Sequence, residues 1–104
     1  MSRSSTTTEP QLRNPHAGEI LFEEFLKPLG LSQSALARAV GVPPRRINEI
    51  VLGKRAVTAD TDLRLTRYFA MSEGFFLRLQ NSYDIMQQKR KLGDALDSIE
   101  PRAA

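Results

Sequence analysis

Residues Gln33 to Arg55 read QSALARAVGVPPRRINEIVLGKR, and the spacing within this stretch decides the fold. Counted from Gln33, Leu36 and Ala37 fall at positions four and five, Gly41 at nine, Val42 at ten, Ile47 at fifteen and Ile50 at eighteen. Each slot has a steric reason. Ala37 stands where a second helix crosses closest, so a larger side chain there forces the pair apart. Gly41 ends the first helix, where a positive φ is favoured and a Cβ is penalised. Val42, Ile47 and Ile50 face the small core between the helices, leaving Arg45, Arg46, Asn48 and Glu49 pointing away from it. Agreement in residue type as well as spacing is that of a helix-turn-helix, in which the second helix carries the base-reading side chains.

The rest of the chain supplies the frame. Its 104 residues suffice for one small domain, and 40% hydrophobic with 26% charged residues fits a globular chain. No segment has the length and apolarity of a membrane span or the pattern of a signal peptide. The absence of cysteine excludes disulfides and thiolate metal sites, and the protein is expected in the cytoplasm. The net charge of +3 is unevenly placed. From residue 33 to 67, seven basic residues face three acidic ones, a net of +4, while Glu19, Glu23, Glu24 and Lys27 leave the preceding helix at −2. The positive charge therefore sits where phosphates would be met.

Residues 1–13 are Ser- and Thr-rich and are read as a mobile arm. Apolar Ile20, Leu21, Phe25 and Leu26 predict a first helix from Gly18 to Leu26, stopped by Pro28 and Gly30. Ser32 is expected to cap a second helix from Gln33 to Val40, and Gly41-Val42-Pro43 to form the turn. Pro44 suits the first turn of the third helix, which ends near Leu52 and Gly53. Thr58 caps a fourth, from Ala59 to about Phe69, with Leu63, Leu65, Tyr68 and Phe69 as its apolar surface. Ser72 is expected to cap a fifth helix bearing Phe75, Phe76, Leu79, Tyr83 and Met86, with Gly74 in its first turn. The expectation is an all-α, compact five-helix domain over residues 14–89, followed by a polar tail over 90–104.

With the helices so placed, the chain resembles the Xre (Cro/C1-type) helix-turn-helix superfamily, and more narrowly the HigA family of toxin–antitoxin antitoxins. The resemblance is carried by HAGEILFEEFLKPLGLSQSALARAVGVP, RRINEIVLGKRAVTADTDLRLTRYF and FFLRLQNSYDI, and covers most of Pro15 to Met86. Family members often have His-Pro-Gly where this chain has His16-Ala17-Gly18, and Trp in place of Phe76. Membership implies a dimer that binds a palindromic operator in double-stranded DNA, represses its own operon and silences a HigB/RelE-like mRNA-cleaving toxin. Two alternatives stand beside it: an Xre-type regulator without a toxin, and a toxin-binding module with little DNA binding. Basic residues on the groove face speak against the second.

Individual residues carry the DNA reading. Arg45 and Arg46 open the third helix on its exposed side, where an arginine can donate two hydrogen bonds to guanine O6 and N7. Adjacent side chains diverge by about 100° on a helix, so one of the two can read a base while the other meets phosphate or solvent. Asn48 can pair with adenine or contact phosphate. Glu49 can accept from cytosine N4 or pair with Arg45 one turn away. Ser32, Gln33 and Ser34 open the second helix, where amides and short polar side chains suit a phosphate. Lys54 and Arg55 are candidate phosphate contacts; Arg38, Arg64 and Arg67 are weaker ones. Phe76, Leu79, Tyr83 and Met86 are the candidate dimer surface, with packing inside one chain as the alternative. His16 is the single histidine and is expected near the first helix's amino end. No nucleophile comes with a base and an orienting partner, so neither enzyme function, metal nor cofactor is expected.

Overall fold

The computed structural model describes residues 13–103; of the expected amino-terminal arm, all but Arg13 lies outside the described residues. Helix α1 (residues 17–29) begins as an α-turn over Ala17–Ile20, widens to π geometry over Leu21–Leu26 and closes with Lys27–Leu29. It is followed by α2 (Gln33–Val40), α3 (Pro44–Val51), α4 (Ala59–Phe69), α5 (Phe75–Leu92) and a short α6 (Asp94–Asp97). No strand occurs among the described residues.

Three boundaries differ from expectation, each for a local reason. Pro28 does not stop α1. The Lys27 amide reaches back five residues to the Phe22 carbonyl, and this wider turn relieves the clash that a proline ring makes inside a regular helix. The chain breaks at Gly30, the other expected stop, in the left-handed region at φ 60°. At the far end α5 continues through Leu92, beyond the point where the polar tail was expected to begin. Gly93 then turns the chain into α6.

The third difference concerns how α5 starts. Ser72 does not cap it: its hydroxyl accepts from Arg78 Nη2 at 2.8 Å. Gly74 stands outside the helix at φ 89°. The amino end is capped from another helix by Asp62, whose carboxylate accepts from the amides of Gly74 (2.7 Å), Phe76 (2.8 Å) and Leu77 (3.1 Å). Asp62 is buried with Thr61, Leu65 and Thr66, and Phe69 is half-buried on the same helix. This inward stripe turns Leu63 and Tyr68, two of the four residues expected to form the helix's apolar surface, out to solvent.

The core joins Ala17, Leu21 and Leu26 to Leu36, Ala37, Val40, Val42, Ile47, Ile50, Val57, Leu65 and Phe76. Phe25 lies over it with ring centroids 4.8 Å from Phe69 and 5.4 Å from Phe76. Phe76 is therefore fully buried within the chain and is not available as dimer surface. Leu79, Tyr83 and Met86 remain half-buried. Ile85, Leu92, Leu96 and Ile99 also stand exposed, Ile99 to 69%.

Two contacts set the position of α3. Gly18 lies so near its carboxy end that a Cβ there would fall 1.7 Å from the Ile50 carbonyl oxygen. Across the turn, Arg64 of α4 donates through Nη1 to the carbonyls of Val40 (2.9 Å) and Gly41 (3.3 Å), capping α2, while its Nε pairs with Asp60 at 2.7 Å.

Candidate nucleic-acid interface

The exposed side of α3 follows from its sequence. Ile47 and Ile50 are drawn into the core, which turns Arg45 and Asn48 outward and leaves Arg46 and Glu49 at the flanks. Pro43 precedes the helix in extended backbone without a side-chain cap, and Pro44 supplies no N–H, so the helix opens directly onto Arg45. The opening of α2 lies alongside. Ser32 Oγ accepts from the Ala35 amide at 3.0 Å, and Gln33 Oε1 accepts from Asn48 Nδ2 at 3.1 Å. That second bond ties the start of α2 to the outward face of α3.

After Leu52, Gly53 adopts φ 76° and the amides of Lys54 and Arg55 both turn back onto the Glu49 carbonyl, at 2.8 and 3.2 Å. The turn carries Arg55 beside Glu49, whose carboxylate binds two guanidiniums at once. Oε2 accepts from Arg45 Nε and Oε1 from Arg55 Nε, each at 2.9 Å. These hydrogen bonds, from Arg55 first and Arg45 second, hold the Glu49 carboxyl below its ordinary pKa, against a small opposing effect of burial. The side chains of Arg46 and Lys54 make neither ion pair nor hydrogen bond with the described residues.

The expected groups are thus sorted by the fold. Asn48 is tied to the opening of α2, Arg45 stands exposed on the same helix with Arg46 at its flank, and Lys54 lies exposed in the turn that follows. The expected pairing of Arg45 with Glu49 is present, and Arg55 joins it. Arg64 is committed to capping α2, and His16 caps α1 by accepting from the Glu19 amide at Nδ1 (3.2 Å). Residue-level reading missed Asp62 as a cap. Its signal was an acid at the head of the stripe 62, 65, 66, 69, where an apolar residue would otherwise face the core. No group of three or more His, Asp or Glu side chains is disposed to hold a metal ion among the described residues. No helix there is long and apolar enough to cross a membrane.

The geometry is that of a helix-turn-helix protein, and known proteins agree. Residues 22–76 match the model of the Helix-turn-helix family. Virulence-associated protein I of Dichelobacter nodosus is 57% identical over 70 residues, covering 67% of this chain. This chain spans 65% of the length of that relative. Antitoxin HigA of Pseudomonas aeruginosa, solved with the higBA promoter, shares 39% identity at a TM-score of 0.80, over 88% of this chain and 100% of that one. An addiction module antidote protein of the HigA family from Coxiella burnetii shares 37% at 0.81, with the same coverage of each.

The chain belongs to the HigA family of helix-turn-helix proteins. That family comprises antitoxins and transcription regulators rather than enzymes.

Proposed function

We propose that this protein is an operator-binding antitoxin of the cytoplasm. As a homodimer it binds an inverted repeat in the promoter of its own operon, represses it, and neutralises a HigB-type toxin. The observation that carries the DNA half is the outer face of α3 and its following turn, where the side chains of Arg46 and Lys54 have no hydrogen-bond or ion-pair partner among the described residues and Arg45 is held in place by Glu49. A relative of the same fold solved with its promoter supports it. Toxin neutralisation rests on kinship.

In this reading α3 enters the major groove, with Arg45, Arg46 and Asn48 facing base edges. Ser32, Gln33, Ser34, Lys54 and Arg55 meet the flanking phosphates. Glu49 acts on its neighbouring arginines rather than on cytosine. The dimer forms along α5 and the residues after it, from half-buried Leu79, Tyr83 and Met86 to exposed Ile85, Leu92, Leu96 and Ile99, placing the two recognition helices about 34–36 Å apart in successive grooves.

The test is binding of the purified protein to its own promoter and to scrambled DNA at two salt concentrations. Preferential, salt-sensitive binding by two protomers per site is expected. Equal, weak binding to both sequences would overturn the repressor reading. Co-expression with the adjacent toxin-like reading frame tests the other half, with restored growth as the expected result.

A further inference from the structure

Glu49 is an acid on a basic helix face, paired with two arginines on different elements. Arg45 is on the groove helix, with its side chain 84% exposed; Arg55 is on the turn that follows. Both give Glu49 their Nε–H, the inner edge of the guanidinium. The outer edge, with its two parallel Nη–H groups, stays free on each. That free edge is the one that matches guanine O6/N7 or a pair of phosphate oxygens.

Two consequences follow from charge and geometry. The group of three carries one net positive charge instead of two, so a phosphate arriving at random meets a weaker cation and a nearby carboxylate. At a matched site the same carboxylate has already fixed both outer edges, so little side-chain freedom remains to be lost on binding. One residue thus weakens the sequence-independent mode and favours the sequence-specific one.

We propose that Glu49 sets DNA specificity by acting as a positioning residue: it aims Arg45 and Arg55 together and lowers the affinity of this face for non-operator DNA. The proposal rests on the operator-binding reading above. The hydrogen bonds from Arg55 and Arg45 keep the carboxylate charged further into the acid range than an ordinary glutamate.

The experiment is Glu49→Gln, which keeps the side chain's shape and removes its charge. Binding to the promoter and to scrambled DNA is measured over a salt series, with folding checked by circular dichroism. Scrambled-DNA affinity should rise roughly threefold and its salt slope steepen by about 0.9, as expected for one more effective cation. Promoter affinity should fall about tenfold as Arg45 loses its orientation. A change of both affinities by the same factor would overturn the proposal. The Nε–H resonances of Arg45 and Arg55, followed in the free protein, should both be protected in the wild type and exposed together in Glu49→Gln. Wild-type protein with those protected signals but no promoter preference would refute the operator reading while leaving the clamp in place. Unchanged signals in Glu49→Gln would refute the clamp itself.

Discussion

The carboxylate of Asp62, in the first turn of α4, accepts the backbone amide of Phe76, in the first turn of α5, at 2.8 Å, with both residues fully buried. The same carboxylate takes two neighbouring amides, so a helix that begins at a glycine without a cap of its own is completed by a side chain twelve to fifteen positions earlier. Asp62→Ala removes the acceptor and leaves these amides without it. Chemical denaturation should show a loss of about 3 kcal/mol. Asp62→Asn, which keeps one acceptor oxygen, should lose roughly half as much. Wild-type stability in Asp62→Ala would mean that water satisfies the amides equally well.

Gly18→Ala should be costly for a different reason. The new methyl group would meet the Ile50 carbonyl oxygen at 1.7 Å and Val51 Cα at 2.9 Å, both backbone atoms that cannot rotate away. The expected cost is about 3 kcal/mol, the upper part of the range for overpacking, with α3 displaced and promoter binding lost even where the fold survives. Gly30→Ala meets no atom within 4 Å and should cost only its left-handed strain, about 1 kcal/mol. Thermal melts of the pair compare the two effects.

Lys54→Ala and Arg46→Ala should separate backbone contact from sequence readout. The first should weaken binding to all DNA alike and flatten the salt slope by about 0.9. The second should relax preference at a single base position, by roughly 1–3 kcal/mol. A binding series over singly substituted operators distinguishes them. Uniform weakening by Arg46→Ala would remove it from base readout.

Glu49 should titrate below an ordinary glutamate, because both guanidiniums favour its charged form. A carboxyl whose pKa is lowered on folding contributes stability that is present above its unfolded pKa. That contribution is lost as the pH falls through the lowered value. Side-chain carbonyl NMR over a pH titration should therefore show Glu49 protonating below the ordinary range of a glutamate. Arg55→Ala should move the titration upward more than Arg45→Ala does, in keeping with the order of the two hydrogen bonds.

Ile85→Glu or Leu92→Glu should yield monomers by light scattering while the helix content is retained, since both side chains are exposed in the single chain. Phe76→Leu should leave assembly intact and lower stability by about 1 kcal/mol or more, because that ring is enclosed in the core. A monomer from Phe76→Leu and a dimer from Ile85→Glu would place the interface elsewhere.

The helix-turn-helix was legible because its determinants are local. Ser32, Gly41 and Thr58 act within a few residues of themselves, and Leu36, Ala37, Ile47 and Ile50 repeat at helical spacing. The Arg45–Glu49 pair was legible for the same reason, being one turn apart. What escaped depends on distant segments meeting. Asp62 caps a helix that the pattern alone would cap with Ser72, and Arg64 caps α2 from 23 and 24 residues away. Phe76 has the spacing of a surface stripe, and only the arrival of Phe25 and Phe69 decides that it is covered. The π turn in α1 exposes a limit of another kind. Pro28 carries a strong stop signal, and nothing nearby announces that the turn before it has widened.

Asn14 donates to the Tyr83 carbonyl and to Gln87 Oε1, both at 3.1 Å, across 69 and 73 residues of sequence. During synthesis, the beginning of the chain must therefore wait for nearly the whole of it before it can be fastened. The groove-facing helices can assemble first, whereas closure over α5 comes late. A product that terminates before Tyr83 would retain a recognisable helix-turn-helix yet lack this latch.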